Sequence, residues 1–256
     1  MLKPAFALVV VLALAGCSTS APEPTPTESV AVDTLGGTIT VFAAASLTDS
    51  FQQIADAFTG EHPDVTVTFN FGGSSGLATQ IVEAAPADVF AAASPATMKT
   101  VTDAALADGD PADFASNVLE IAVASGNPGD ITGLDDFANA DKTIALCAVE
   151  VPCGAAAAKL FETAGITPSV DTYEQDVKAV LTKVELGEVD AGLVYVTDVQ
   201  AAGDTIEGIR VDSPAVTYPI ATLAASTNRA AAEAFVAFVL SDKGQSILKA
   251  AGFGAP

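Results

Sequence analysis

Tryptophan is missing from this sequence of 256 residues, histidine occurs once, and basic residues are few. Ten Lys and Arg stand against 32 Asp and Glu, which gives a formal net charge of −22. So acidic a surface disfavours binding to nucleic acid and to anionic membranes. The one histidine, His62, lies in the polar stretch TGEHPDV, which indicates a solvated turn. The composition therefore argues against nucleic-acid partners and against histidine-dependent catalysis.

The acidic residues show no pattern of a metal centre. Glu150, Asp176 and Asp198 have neither a histidine beside them nor the spacing of metal ligands, so solvated loops and helix caps explain them better. His62 is also far in sequence from any plausible serine nucleophile. We therefore expect no catalysis, no cofactor and no protein–metal ligand, with a serine hydrolase as a distant alternative.

The N-terminus has the proportions of an export signal. Lys3 precedes an apolar run that is too short for a membrane span, and the run ends in Leu-Ala-Gly-Cys at residues 14–17. That ending resembles the bacterial lipobox, in which the cysteine is lipidated and becomes the mature N-terminus. We predict a signal peptide over 1–16 and lipidation at Cys17, with an ordinary export signal and an incidental cysteine as the alternative.

Residues 17–37 are rich in Pro, Ser and Thr and contain few large apolar residues, which is typical of an extended tether. The sequence thus predicts an exported protein that is anchored by lipid to the outer face of the cell membrane, with folding starting near Gly37. With Cys17 assigned to the lipid, Cys147 and Cys153 form an even pair in an exported chain. A disulfide between them is the expectation, and two reduced core cysteines are the alternative.

From Thr38 onwards, apolar strands alternate with amphipathic helices, which predicts an α/β fold with parallel-rich sheets covered on both faces. One group of elements ends near residue 116 and a second ends near residue 216. The closing helices have no sheet of their own and should return to the first group. We therefore predict two lobes, 38–116 plus 217–256 and 117–216, joined by crossing strands around a ligand cleft.

Hydroxyl side chains recur where predicted strands give way to helices. Ser46 follows the first strand, and Ser74 and Ser75 follow the second in a glycine-rich turn. Helix starts near Cys153 and Val177 add backbone N–H groups. A single such hydroxyl more often caps its helix. The repetition favours a site for a small oxyanion, because neutral donors and helix dipoles can solvate its charge.

Five segments carry a family resemblance: ITVFAAASLTDSFQQIADAF, SSGLATQIVEAAPADVFAAAS, VPCGAAAAKL, DVKAVLTKVELGEVDAGLVYVTDV and YPIATL. From about Thr38 to Phe253 the chain resembles the periplasmic molybdate-binding proteins of bacterial ABC importers. The succession of FAAASLT, AAPAD at 84–88 and GLVY at 192–195 is similar to motifs specific to that family. The resemblance implies a type II periplasmic-binding-protein fold of two lobes.

The resemblance also implies a ligand set. In that family two serine hydroxyls with their backbone amides, two further backbone N–H groups and a tyrosine hydroxyl hold the oxyanion. The matching positions here are Ser46, Ser74, Cys153, Val177 and Tyr195. Ser75 stays an alternative to Ser74, and core packing is the plain alternative for Tyr195. The family usually has alanine where this chain has Cys153, and a disulfide there would stiffen the loop that carries the amide.

The implied function is that of a monomeric receptor that binds molybdate, and with it tungstate, and delivers the anion to an ABC permease. A receptor for another oxyanion, tungstate-preferring or specific for sulfate or phosphate, is the nearest alternative. An adhesin or structural lipoprotein is a further one.

Overall fold

The structure, a computed structural model, describes residues 35–256. The predicted signal peptide (1–16), the lipidated Cys17 and most of the tether (17–37) lie outside the described residues. No helix in the described part of the chain is long and apolar enough to cross a membrane. The first strand begins at Gly37, where the sequence predicts folding to start.

The strands are β1 Gly37–Ala44, β2 Val65–Gly72, β3 Val89–Ala91, β4 Ala112–Asn117, β5 Leu119–Ala124, β6 Ile144–Cys147, β7 Thr172–Glu174, β8 Ala191–Tyr195, β9 Ile206–Arg210 and β10 Val216–Thr222. The α-helices are α1 Thr48–Glu61, α2 Ser74–Val82, α3 Pro95–Asp103, α4 Pro152–Ala164, α5 Val177–Glu185, α6 Val196–Ala202, α7 Arg229–Leu240 and α8 Asp242–Ala250. These elements form two five-stranded sheets, ordered β2-β1-β3-β10-β4 and β7-β6-β8-β5-β9.

Each sheet with its helices forms one lobe. In lobe I, Ile39 and Val41 of β1 face the core under α1, α7 and α8, whereas Phe42 faces a second core under α2 and α3. Burial on both faces explains why the strand is almost continuously apolar. Lobe II has one large core between its sheet and helices α4 and α5. The closing helices α7 and α8 pack on lobe I through Phe235 and Leu248, as the sequence predicts.

Both sheets are mixed, which corrects the prediction of parallel-rich sheets. β1 is parallel to β2 and β3, but β10 is antiparallel to β3 and β4. In lobe II, β6 is parallel to β7 and β8, and β5 is antiparallel to β8 and β9. The antiparallel strands are those next to the two crossings between lobes, because the chain enters each sheet there from the other lobe.

The crossing also divides a mostly apolar stretch whose pattern alone favours a single strand. The stretch around ASNVLEIAVAS contributes the end of β4 to lobe I and all of β5 to lobe II, with Val118 between them. The side chain of Asn117 spans this point, because its Nδ2 donates to Thr197 Oγ1 (2.9 Å) and its Oδ1 accepts from Val118 N (3.0 Å). The chain returns to lobe I before β10, which begins at Val216.

Candidate functional site

Ser46 lies in a short 3₁₀ turn, Ala45–Leu47, between β1 and α1. It does not cap the helix: α1 has Leu47 at its N-cap position and no side-chain cap. The Ser46 hydroxyl is instead buried and lies 2.9 Å from the hydroxyl of Tyr218 in β10. The capping alternative is therefore wrong for Ser46, which lines the cavity between the lobes described below.

Ser74 is the first residue of α2 and is buried. Its Oγ accepts a hydrogen bond from Ala93 N (3.0 Å), two residues after the end of β3. Because the Ala93 amide uses one lone pair of the oxygen, the Ser74 proton remains for another acceptor. Ser75 is half-exposed and does not line the cavity described below, so the structure favours Ser74 in the register that the sequence left open.

Two helices of lobe II begin at the same place. α4 starts with Pro152 after Val151, and proline suits the first turn because that position needs no N–H acceptor. Cys153 follows it, and its Sγ is bonded to that of Cys147 at the end of β6. α5 starts at Val177, with the Asp176 side chain accepting from Ala179 N (2.9 Å).

The amides of Cys153 and Val177 belong to first turns, which have no acceptor within their own helix. Both residues are buried on the wall of the cavity described below. The positive ends of two helix dipoles therefore meet at this wall, together with N–H groups that suit an anion.

Tyr195 ends β8 and is 1% exposed. Its ring belongs to the core of lobe II, so the packing alternative is correct as far as the ring is concerned. The hydroxyl differs, because it is buried and makes no hydrogen bond of normal geometry within residues 35–256, although the Tyr218 hydroxyl is near enough to affect its pKa. Burial raises the pKa of this hydroxyl well above its ordinary value, so it stays protonated and can donate.

These elements enclose a small cavity between the lobes. Its wall consists of Ala44, Ala45, Ser46, Gly72, Gly73, Ser74, Ala93, Val151, Pro152, Cys153, Asp176, Val177 and Tyr195. All five residues of the predicted ligand set are on this wall, two from lobe I and three from lobe II. The cavity is small, because the centre of a water molecule could move through only about 10 Å³ of it. In this arrangement the site excludes sugars, amino acids and peptides.

The lobes are in contact around the cavity. Gly73 of lobe I approaches Gln175 of lobe II so closely that a Cβ at Gly73 would lie 2.1 Å from the Gln175 carbonyl oxygen. Lys178 Nζ of lobe II lies 2.9 Å from Asp49 Oδ2 of lobe I. The structure thus shows the cleft in a closed arrangement, with lobe-to-lobe contacts on the cavity's rim.

Asp198 is a fully buried carboxylate beside this rim. Its Oδ2 accepts from Tyr195 N (3.0 Å), and its Oδ1 lies 3.7 Å from Lys178 Nζ. Burial raises the pKa of Asp198 to about 6, against the lowering effect of Lys178 and the Tyr195 N–H, while Asp49 adds to the rise. The lysine therefore links a buried acid of lobe II to an exposed one of lobe I.

Within residues 35–256 no group of three or more His, Cys, Asp and Glu could hold a metal ion. Glu150 is exposed, Asp176 caps α5, and Asp198 binds the Tyr195 amide, so these carboxylates have separate local partners.

The segment Gly72–Gly76 does have the letters G-x-S-x-G of a hydrolase nucleophile elbow. The only histidine, His62, lies beyond the opposite end of β2, with its ring against Phe58 (4.7 Å between centroids). The eight residues of β2 separate the two by roughly 25 Å. No histidine lines the cavity, so Ser74 has no imidazole base.

The sequence reasoning missed three residues at the site. It assigned no role to Tyr218, Gly73 or Lys178, although each lies in a quoted motif or beside one. For Tyr218 the only local signal was its position immediately before Pro219 in an apolar segment. Each of the three has a partner more than 100 residues away in sequence: Ser46 for Tyr218, Gln175 for Gly73 and Asp49 for Lys178.

A two-lobed fold with a small cleft between the lobes defines an α/β binding protein of the periplasmic type. Residues 39–254 match the family described as bacterial extracellular solute-binding protein, and the chain belongs to this family. The molybdate-binding protein ModA of Mycobacterium bovis is 38% identical over 97% of this chain and 95% of its own length.

Two further comparisons extend this result. The putative ABC transporter substrate-binding lipoprotein YvgL of Bacillus subtilis is 28% identical over 97% of this chain and 96% of its own. The sulfate-binding protein SubI of Mycobacterium tuberculosis superposes with a TM-score of 0.76 at 20% identity, over 84% of this chain and 86% of that one. At that identity the superposition shows the fold alone.

Proposed function

We propose that this protein is an extracytoplasmic receptor that binds molybdate, and with it tungstate, and delivers the anion to an ABC permease. The observation that carries the proposal is the wall of the cavity, where three hydroxyls and two helix starts converge. The ligand set is Ser46, Ser74 and Tyr195 through their hydroxyls, and Cys153 and Val177 through their amides. The Tyr195 hydroxyl makes no hydrogen bond of normal geometry within residues 35–256, which supports a ligand that accepts hydrogen bonds.

The donor set suits a fully deprotonated dianion. Molybdate carries no proton at neutral pH, so hydroxyls and amides satisfy it without an acceptor on the protein. Phosphate is partly protonated and would also need an acceptor. The one carboxylate on the wall, Asp176, caps α5 through Oδ1, so only Oδ2 remains to accept such a proton. Each donor to a charged oxygen contributes about 1.5–3 kcal/mol net, so five donors support tight binding.

The relatives favour molybdate over sulfate. The ModA protein covers nearly the whole chain at 38% identity, whereas the sulfate-binding neighbour shares the fold at 20%. Sulfate has the charge and shape of molybdate but is smaller, so cavity size must discriminate between them. A receptor for sulfate or phosphate, or one that prefers tungstate, is the alternative that the experiment below separates.

Closure and anchoring belong to the same proposal. The lobes, 38–116 plus 217–256 and 117–216, turn about the crossings next to Asn117 and Val216, and closure completes the donor shell. Cys17 carries the lipid after removal of residues 1–16, and 17–37 tethers a monomer to the outer face of the membrane. Leu-Ala-Gly-Cys at 14–17 supports this anchor.

Calorimetric titration of the unlipidated chain from Ser18 with molybdate, tungstate, sulfate and phosphate tests the proposal. We expect one-to-one binding of the first two anions and none of the others. Ser46→Ala should weaken binding at least about tenfold, because one hydrogen bond to a charged oxygen is lost. Ser50→Ala is the matched control, because that hydroxyl donates to Leu47 O (3.1 Å) and does not line the cavity.

Binding of sulfate or phosphate instead would keep the oxyanion cleft and overturn the named ligand. No binding of any of the four anions would overturn the receptor function. Equal affinities of the Ser46→Ala variant and the unmodified protein would remove Ser46 from the ligand set.

A further inference from the structure

Tyr218 lies behind the cavity wall, in β10 of lobe I. It is fully buried and does not line the cavity, and its hydroxyl is 2.9 Å from Ser46 Oγ. We propose that Tyr218 is a positioning residue, which donates its proton to Ser46 and so directs the Ser46 proton at the bound oxyanion. This inference rests on the proposed function and adds a residue outside the ligand set.

Counting protons decides the direction of the hydrogen bond. Ser46 and Tyr218 each have one hydroxyl proton, and only one of the two can lie between their oxygens. An oxyanion offers acceptors alone, so Ser46 binds it only by giving its own proton. The Tyr218 proton then lies on the bond to Ser46. The result is a chain of donors from Tyr218 through Ser46 to the anion, in which each bond strengthens the next.

Ser74 shows the same arrangement with a partner whose direction is fixed. Its Oγ accepts from Ala93 N, which can only donate, and this leaves the Ser74 proton for the ligand. Both serines of the proposed site therefore have a buried hydrogen-bond partner within lobe I. Tyr218 does for Ser46 what a backbone amide does for Ser74.

The surroundings of Tyr218 keep its hydroxyl in place. Its ring makes edge-to-face contacts with Phe114, Phe253 and Tyr195, at centroid distances of 6.2, 5.5 and 6.0 Å. Burial raises the pKa of Tyr218 far above its ordinary value, so the hydroxyl keeps its proton. Tyr195 belongs to lobe II. In the closed arrangement the Tyr218 ring therefore packs against Tyr195, the hydroxyl donor that lobe II contributes.

A double-mutant cycle tests the inference. Molybdate affinity is measured for the unmodified chain, Ser46→Ala, Tyr218→Phe and the double variant. We expect Tyr218→Phe to weaken binding about tenfold in the unmodified background and less than about twofold when Ser46 is alanine, because its effect passes through Ser46. Tyr173→Phe is the matched control, since the Tyr173 side chain is exposed and should leave the affinity unchanged.

The cycle separates the possible failures. If the unmodified chain binds none of the four anions, the proposed function and this inference both fall. If it binds and Tyr218→Phe behaves like Tyr173→Phe, only the positioning role is overturned. An equal loss in both backgrounds would mean that Tyr218 acts on the fold and not through Ser46, which also overturns the inference. Because phenylalanine keeps the ring contacts, the variant removes only the hydroxyl.

Discussion

The Tyr195 hydroxyl has a cost in the closed fold that a bound anion would remove. A buried hydroxyl without a hydrogen-bond partner destabilises a protein by about 1–3 kcal/mol. In the described part of the chain this oxygen is one of three such buried side-chain atoms, and Tyr195 lies on the cavity wall. An accepting ligand restores the missing bond. The residue thus favours ligand binding at some expense to the stability of the ligand-free closed state.

Asp198 makes stability depend on pH. Its native pKa of about 6 exceeds the ordinary 3.8, so the folded protein holds this proton more tightly than the unfolded chain does. This tighter binding of the proton adds to the free energy of unfolding. The addition is fully present below about pH 4 and is lost as pH rises through about 6. The pKa of Asp198 is higher by about 2 in the folded protein than in the unfolded chain, so the free energy of unfolding falls by about 3 kcal/mol over this pH range.

Asp198→Asn should remove this dependence. We expect the free energy of unfolding of the variant, relative to the unmodified protein, to rise by about 3 kcal/mol between pH 4 and pH 7. Urea unfolding at several pH values measures it, with the exposed Asp56→Asn on α1 as control. If the free energy of unfolding of the variant instead falls relative to the unmodified protein over this range, Lys178 and the Tyr195 N–H lower the Asp198 pKa by more than burial raises it.

At the scale of elements, the start of α2 limits how closely the lobes can approach. Gly73 is the N-cap residue of α2, with backbone angles open to any residue, so alanine adds no strain there. Its Cβ would nevertheless lie 2.1 Å from Gln175 O of the other lobe. We expect Gly73→Ala to fold normally and to weaken ligand binding by at least about tenfold, because the cleft cannot close completely.

Gly76→Ala is the matched control, because it lies in the same helix and its Cβ would meet no atom within 4 Å. Calorimetric titration and urea unfolding of both variants give the comparison. Equal affinities for the two variants would mean that binding does not require this approach of the lobes.

The loop before α4 is a second element with a measurable effect. The disulfide joins the end of β6 to the first turn of α4, and the loop between them leads to the Cys153 amide. Replacing both cysteines with alanine should lower the free energy of unfolding by about 2 kcal/mol, since the unfolded chain gains loop entropy. Binding should weaken severalfold, because the amide is then less fixed.

Urea unfolding and titration of the Ser18 form, with and without dithiothreitol, measure both effects. The reductant should reproduce the change in the unmodified protein and leave the double variant unaffected. A reduced protein with unchanged stability would contradict the assigned role of the bond.

At the scale of the whole molecule, the net charge of −22 opposes the approach of a dianion. The donors act only within the cleft, whereas the acidic surface acts at a distance of several ångströms through water. We expect the association rate constant of molybdate to rise severalfold between about 10 and 200 mM NaCl, with little change in the dissociation rate constant. Stopped-flow tyrosine fluorescence can follow binding, since the sequence has no tryptophan.

An association rate that falls with salt would contradict this prediction. It would mean that the helix starts and Lys178 create a positive potential at the mouth of the cleft that outweighs the net charge.

Local patterns predicted most of the elements. The burial of β1 on both faces and the spacing of Phe51, Ile54 and Phe58 on α1 follow from apolar periodicity, and both elements form where it places them. The short strands β7 and β9 were not predicted. They are edge strands with polar or exposed residues, so their pattern is that of loops until a neighbouring strand pairs with them.

The family motifs selected the five residues of the proposed ligand set, and the structure brings all five to one cavity. Their role as ligands stays a prediction until binding is measured. The reason they could be selected is local: each is at the end of a strand or in the first turn of a helix, where the sequence marks a change of pattern.

The sequence by itself determined the alternation of strands and helices, the two groups that became lobes, and the neutral hydroxyls and amides at the ends of elements. Only the tertiary structure decided that Ser46 bonds to Tyr218 instead of capping α1, that Gly73 meets Gln175, and that both sheets are mixed. The physical reason is range, because periodicity and capping act over a few residues, whereas these contacts join segments that only the packing of two lobes brings together.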